Sequence, residues 1–333
     1  MDAQRFIREI GRGGEGARSL PYNTAIQMFE SLFEGRFDQI ELGAILMALR
    51  MKGESLDEVR AALDVLEPRL NRLQVDAARP CVSIPSYNGA RHTPNLVPLL
   101  ACLLADAGVQ VVVHGVSRGE GRTTTAEIMS AMGLGAVRDF GQAVDVIDRG
   151  VPAFVPVELL SPSLAGLIAL RARLGVRNIG HTLAKLINPT LAPDCLRMAS
   201  FTHPEFNRLQ HDYFTGSRRP AMLMRGTEGE VVASTRRAAQ IDWVHDGECE
   251  VVVPSQTTAA GGLPALPDAA DASATARWIQ SVLAGERPVP QAIDQQVGAV
   301  LLALGIRSVS HTPLSFDAFD QAFGSTKAHG ATI

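Results

Sequence analysis

The sequence predicts an α/β protein whose helical region is split between two parts of the chain. Three observations carry this expectation. The first seventy residues space their apolar side chains as amphipathic helices do. After Arg79 the texture becomes strand, loop, helix, strand, loop, helix, the signature of a mostly parallel sheet. From Ser161 to Leu186 the helical texture returns, so that segment is expected to rejoin the N-terminal bundle in space. The predicted partition is residues 1–72 plus 158–188 as a helical domain, and 73–157 plus 189–333 as a larger α/β domain with a mostly parallel central sheet.

The helical part begins with Tyr22 to Phe33, where Ile26, Phe29 and Phe33 share a face. Asp38 can cap a second helix carrying Leu42, Ile45, Leu46 and Leu49 and ending at Gly53. Ser55 and Glu58 form a Ser-x-x-Glu capping box for a third, stopped by Pro68. Cys81 to Ile84 is a short strand candidate broken at Pro85, and a helix is expected from Pro94 to Ala107 with Gly108 as its stop. Val109 to Val113 is apolar almost throughout, as a strand buried on both faces is. Helices are expected at Pro162–Leu174 and Asn178–Leu186, then near Glu205–Phe214, Ser273–Ala284 and Pro290–Leu304. Strands are expected at Ala221–Met224 and Glu250–Val253, and Pro254 to Asp271 reads as a loop.

The 333 residues are 46% apolar and 20% charged, with a formal net charge of −4. That composition excludes disorder for most of the chain and supplies ample core. No stretch approaches the roughly 18 apolar residues of a membrane span, and the N-terminal Met-Asp-Ala-Gln-Arg shows no apolar signal core. Cys81, Cys102, Cys195 and Cys249 lie far apart. They argue against a disulfide scaffold or zinc cluster and fit a reducing cytoplasm. A slightly acidic whole does not suggest a histone-like binder, yet it leaves room for a local basic groove.

Three segments carry candidate chemistry. The loop from His114 through Gly115, Arg118, Arg122, Thr123, Thr124 and Thr125 follows a buried strand and opens a helix, with Thr124 and Glu127 as a capping box. Such a loop is a phosphate or nucleotide cradle or an ordinary capped turn, and it fits neither the P-loop nor the dinucleotide fingerprint. The stretch between Glu158 and Asp194 contains no carboxylate but holds Arg171, Arg173, Arg177, His181 and Lys185. The last three are spaced by four, so a helix would place them on one face, where they would attract phosphates. Arginines pairing with distant acids are the alternative. In the third segment, Arg225 leads into a Gly-containing turn with Glu228 and Glu230, flanked by Arg218, Arg219, Arg236 and Arg237. The two glutamates are candidates for a metal or for stabilising the turn. The Arg5, Arg8 and Arg12 face is a further basic candidate. His203 and His211 are eight apart, and neither His-Glu-x-x-His nor a recognisable nucleic-acid-binding motif occurs.

From its first helix to about Leu304, the chain resembles glycosyltransferase family 3, the anthranilate phosphoribosyltransferase family. The resemblance implies a discontinuous helical domain, an α/β domain, phosphoribosyl diphosphate with magnesium at the hinge, and a homodimer through the helical domain. The family's Gly-Thr-Gly-Gly-Asp and Thr-Phe-Asn motifs correspond here to Pro85-Ser86-Tyr87-Asn88-Gly89 and Thr93-Pro94-Asn95. Its Lys-His-Gly-Asn-Arg corresponds to Val113-His114-Gly115-Val116-Ser117, and its magnesium-binding Asp-Glu pair falls on Val231 and Val232, or on Glu230 with a slip. The phosphate motifs are thus degraded, leaving Asn88, Gly89, Thr93, Asn95 and the 114–125 loop as vestiges. Arg171 matches the arginine used near anthranilate.

The strings at 85–91, 113–117, 175–178, 181–186 and 225–231 resemble the YbiB-type branch. That resemblance implies a homodimer without phosphoribosyltransferase activity that binds single- or double-stranded DNA and RNA with little sequence preference. Arg171, Arg173, Arg177, His181, Lys185 and Arg225 are the residues expected to meet nucleic acid. No catalytic residue, metal, cofactor or membrane partner is expected on this reading. The alternative is a phosphoribosyl- or glycosyltransferase acting on a nitrogen heterocycle, with magnesium and phosphoribosyl diphosphate, in which Asn88, Asn95, Arg118, Thr123–Thr125 and Arg171 hold a phosphorylated ribose.

Overall fold

The computed structural model describes residues 3–13, 16–236, 239–255 and 265–306. The chain opens with helices α1 (Ala3–Ile10), α2 (Tyr22–Phe33), α3 (Gln39–Lys52) and α4 (Leu56–Leu66). Asp38 and Ser55 cap α3 and α4 through complete capping boxes with Glu41 and Glu58, as their spacing predicts. Glu58 does more than cap. Its buried carboxylate also accepts the Leu20 N–H at 2.9 Å and pairs with Lys52 at 2.7 Å, so it locks the entry of α2 to α3 and α4.

There follow β1 (Cys81–Ser86), α5 (Val97–Asp106), β2 (Gln110–Gly115), α6 (Thr125–Ala131), α7 (Phe140–Asp148) and β3 (Ala153–Pro156). Helices α8 (Val157–Leu160), α9 (Pro162–Ala169), α10 (Arg171–Leu174) and α11 (Ile179–Ala184) come next. The chain continues with β4 (Leu196–Phe201), α12 (Pro204–Ser217), β5 (Ala221–Arg225), β6 (Ile241–His245), β7 (Glu248–Val253), α13 (Ala272–Leu283) and α14 (Gln291–Ala303). The fold is α/β. One seven-stranded sheet has the order β3-β2-β1-β4-β5-β6-β7, parallel through β5 and antiparallel at β6 and β7. Helix α11 packs against α9, α3 and α4, while α12 spans from α4 to β4 and β5.

The strand order reverses between β1 and β4. Chain after β1 moves toward β3, and chain after β4 moves toward β7. The loops leaving the carboxyl ends of these two strands therefore diverge and open a crevice, the position where open α/β sheets place ligands.

Several predicted boundaries are corrected. Strand β1 runs through Pro85, which stands in register with His114. A proline fits there because β4 pairs with β1 only at Val82 and Ser83, so no ladder bond is lost on that side. Strand β2 extends to Gly115, and α5 starts at Val97, where the Asn95 side chain accepts its first N–H at 3.1 Å. The predicted 162–174 helix is broken at Leu170. Arg237, residues 256–264 of the predicted 254–271 loop and the chain from 307 to 333 lie outside the described residues. Among the described residues no helix is long and apolar enough to cross a membrane.

Candidate functional site

The crevice is built first by the loop after β1. Its backbone amides point at carboxylates of the chain itself. Glu230 Oε1 accepts the N–H groups of Asn88 at 2.8 Å and Gly89 at 2.6 Å. Glu228 accepts those of His92 and Thr93 at 2.7 Å and of Arg91 at 2.9 Å, with the Arg122 guanidinium 3.3 Å away. Successive amides of this kind form an anion-binding concavity. Partial burial pushes the Glu228 carboxyl up, and the three N–H bonds and Arg122 outweigh it, so its pKa lies below the ordinary range.

The geometry that delivers both carboxylates is a tight turn. Thr227 and Glu230 pair in an antiparallel bridge, and Glu228 and Gly229 both take positive φ, +52° and +87°. Gly229 is required twice over, because a Cβ there would also strike the Asn88 side chain. Asn88 Nδ2, Ser200 Oγ and Lys185 Nζ all donate to the Gly229 carbonyl, the latter two at 3.1 and 3.0 Å. The turn-stabilising role is therefore what the structure gives Glu228 and Glu230. Val231 and Val232, the positions matching the magnesium pair, are core residues. Both Glu228 oxygens and Glu230 Oε1 are taken by backbone N–H groups, and only the buried Glu230 Oε2 is without a partner. One free carboxylate oxygen does not make a magnesium site, and no cluster of His, Cys, Asp and Glu suited to a metal occurs among the described residues.

The other predicted phosphate residues are likewise tied up. Thr123 and Ala90 exchange backbone hydrogen bonds at 2.8 and 2.9 Å. Thr124 caps α6 with Glu127, and Thr125 Oγ1 meets Ser86 Oγ at 2.8 Å and Asn95 Nδ2 at 2.9 Å. His114 lies inside β2, fully buried, with its Nδ1 2.8 Å from the Tyr87 hydroxyl. Burial lowers its pKa to about 3, so it is neutral. Gly115 lets the strands approach, since a Cβ there would collide with the Ser86 carbonyl. Arg118 stands apart from this set, on the wall of a cavity of about 420 Å³ with Arg171, Glu120 and Glu158 among apolar residues such as Val157, Ala165 and Ile168.

The second half of the crevice is cationic. Arg50, Arg177, His181 and Lys185 line a narrow cleft with Asn88, Ser200, His203 and Gln210, and no carboxylate lines it. The predicted single helix face is corrected. Helix α11 starts only after Asn178, which caps it, so Arg177 precedes the helix and Lys185 ends it. The three residues meet across the cleft all the same. Burial and the nearby Arg171, Arg122 and Arg50 lower Arg177 to about 10. Burial lowers Lys185 to about 8, partly offset by Glu230. Burial and the neighbouring arginines lower His181 to about 4, and its Nδ1 accepts the Asn178 N–H, so it contributes no charge near pH 7. Arg50, Arg171, Arg177 and Lys185 form no ion pair among the described residues. Arg50, contributed by α3, is a residue the sequence reading misses; nothing in its local sequence marks it.

The remaining basic candidates lie elsewhere. Arg225 lines a different cavity with Glu228 and Asp242, and Arg173 is exposed, reaching Gln39 at 3.4 Å. Arg219 pairs with Glu67, and Arg218 lies at the opposite end of the sheet. Arg12 pairs with Glu9 at 2.9 Å, and Arg5 donates to Gln27 at 2.6 Å and covers the Phe6 ring. His203 lies on the cleft wall, whereas His211 is exposed beside Asp212.

Comparison with known proteins fits this layout. The glycosyl transferase family helical bundle domain matches residues 4–67. The uncharacterized protein YbiB of Escherichia coli K12 is 40% identical over 306 residues, covering 92% of this chain and 95% of that protein. The chain belongs to the anthranilate phosphoribosyltransferase-like proteins of glycosyltransferase family 3. Within that family, the anthranilate phosphoribosyltransferase of Anaeromyxobacter sp. Fw109-5 is 27% identical over 84% of this chain and 83% of its own. Among solved structures, anthranilate phosphoribosyltransferase from Thermus thermophilus superposes with a TM-score of 0.72 at 22% identity, covering 97% of this chain and 94% of that one. The fold is thus that of the transferases, while the β1 loop and the turn at 226–230 are occupied with each other.

Proposed function

We propose that this protein binds DNA and RNA through their phosphates, with little regard to sequence, and does so as a homodimer in the cytoplasm. The observation that carries the reading is the cleft of Arg50, Arg177 and Lys185, three cations brought together at the sheet's switch point with no carboxylate on its wall. Cations gathered at a cost in desolvation, with Glu230 nearby but no ion pair among the described residues, call for an external anion, and phosphodiesters are the anion that sequence-independent binding uses. The filled amide nests support the same reading, because a diphosphate would have to displace Glu228 and Glu230.

Homodimer formation is supported by α3. Ile40 and Met51 are 84% and 79% exposed, and with Ala44 and Met47 between them they make an apolar strip at spacings of four and three. Two symmetry-related clefts on one strand would add avidity. Met51→Lys is expected to shift the mass measured by light scattering from dimer toward monomer.

A second reading has one observation behind it. The cavity beside Arg171 is walled by apolar residues and sized for a small aromatic anion, as a transferase acting on a nitrogen heterocycle would need. Titration of a fluorescent single strand of roughly thirty nucleotides, with and without phosphoribosyl diphosphate and magnesium, separates the two. Binding that weakens with salt and ignores the diphosphate supports the nucleic-acid reading. Absence of binding at low salt, with thermal stabilisation by phosphoribosyl diphosphate and magnesium, overturns it in favour of the transferase.

A further inference from the structure

At the opposite end of the sheet from the crevice, Cys81 opens β1 and Cys195 immediately precedes β4. The register pairs Val82 with Leu196 and Ser83 with Arg197, so one step back sets the two cysteines side by side on adjacent parallel strands. Their Sγ atoms are 3.0 Å apart, inside ordinary van der Waals contact. Neighbouring strands are spaced by about 4.8 Å, within the Cα separation a disulfide accepts, so bond formation needs only about 1 Å of closing motion. We propose that Cys81 and Cys195 form a peroxide-responsive thiol pair that closes reversibly to a disulfide across β1 and β4.

Two further features suit this chemistry. Residues 81 and 83 of β1, residue 195 just before β4 and residue 197 within it share one face of the sheet, because side chains alternate along a strand. On that face Arg197 is 2% exposed, and its Nε and Nη2 have no hydrogen-bond partner. The guanidinium lies over the Phe214 ring and reaches the Leu186 carbonyl only at 3.5 Å, so its orphan N–H groups favour a nearby thiolate. Burial resists ionisation of Cys195, but the Cys81 thiol, Thr190 and Arg197 outweigh it and hold that thiol below its ordinary range. The hydrogen bond to Cys195 and burial push Cys81 up, so one sulfur is the nucleophile and the other stays a thiol. Both line a cavity of about 400 Å³ bounded by Arg79, Asp194, Arg218 and His245, which gives a small oxidant access.

The reaction balances with hydrogen peroxide as oxidant. The Cys195 thiolate attacks peroxide, an S–O bond forms, the O–O bond breaks and hydroxide leaves. The Cys81 sulfur then attacks the sulfenic sulfur; the S–S bond forms, the S–O bond breaks, and water departs with the thiol proton. A dithiol reductant reverses the oxidation by exchange.

The test uses the full chain carrying Cys249→Ser, which removes the exposed cysteine and any bridge between molecules through it. After limited peroxide treatment, denaturation and maleimide labelling, two thiols are lost, leaving Cys102 as the labelled one. The protein is lighter by two hydrogen atoms, and peptide mapping joins Cys81 to Cys195. Dithiothreitol restores both thiols, and the bridged form melts several degrees higher than the reduced one. In Cys81→Ser with Cys249→Ser, a dimedone adduct accumulates on Cys195 instead. Recovery of Cys81 as a free thiol while Cys195 advances to sulfinic acid, or absence of the joined peptides, overturns the proposal. The mapping decides even if the Cys81→Ser variant does not fold.

Discussion

The two halves of the crevice treat charge in opposite ways. Beside β1, backbone amides that are shaped to receive an anion are filled by Glu228 and Glu230 of the same chain. A few residues away across the cleft, Arg50, Arg177 and Lys185 gather without a carboxylate on the wall. In the first half the donors are satisfied internally and the loop is pinned. In the second, Arg177 and Lys185 are held in a partly dry site whose cost shows in their lowered pKa values. On the proposed reading, the difference assigns the external anion to the side chains rather than to the amides. A ligand recognised by amides alone would need both glutamates to leave, whereas one recognised by the cations leaves both in place.

Removing the internal anion should produce the largest effect. Glu230→Ala leaves two buried N–H groups unpaired and is expected to cost about 3 kcal/mol in urea denaturation, whereas Glu230→Gln keeps an acceptor and costs about 1. Equal losses would mean that the amide nest does not hold the loop. Reversing charge in the other half, with Arg50→Glu and Arg177→Glu together, should weaken single-strand binding at least tenfold, or about 1.4 kcal/mol, on every sequence alike. Loss confined to some sequences would mean base contacts instead of phosphate contacts.

The histidines behind each half sharpen the comparison under acid. His114 and His181 have folded pKa values of about 3 and 4 against 6.5 in the unfolded chain. Below about pH 6.5 the unfolded chain binds protons that the folded one does not, so stability falls with pH down through each folded value. The expected slope is roughly 1 kcal/mol per pH unit for each group. A flat stability profile between pH 6.5 and 4 would show that burial does not keep them neutral. The smallest effect concerns Lys185. With a pKa of about 8 it loses its charge as pH rises from 7 to 9, and nucleic-acid affinity should fall a few-fold. Lys185→Arg should abolish that fall, and its persistence would assign it to another group.

Much of the helical scaffold is legible in the sequence because its signals are local. Asp38 and Glu41, Ser55 and Glu58, and Thr124 and Glu127 each start a helix through bonds within three residues. The strands are less legible. β4 contains Arg197, and a buried charged residue hides the strand; β3 is only four residues long, follows Pro152 and ends on Pro156. The spacing of Arg177, His181 and Lys185 mislocates the helix, because Asn178 takes the capping role and starts α11 behind Arg177. The carboxylate plug is illegible for a different reason. Glu228 and Glu230 reach amides more than 130 residues away in the chain, and no local pattern announces which N–H groups a turn will meet.

The central claim is that side-chain cations of the cleft, and not the β1 amides, receive phosphate. Its most direct test is the salt dependence of single-strand affinity in the unaltered protein and in Arg177→Ala. A linear fall of log affinity with log salt is predicted, with the slope shallower by about 0.7 when Arg177 is removed. An unchanged slope in Arg177→Ala, together with competition by inorganic diphosphate that depends on magnesium, would contradict the account.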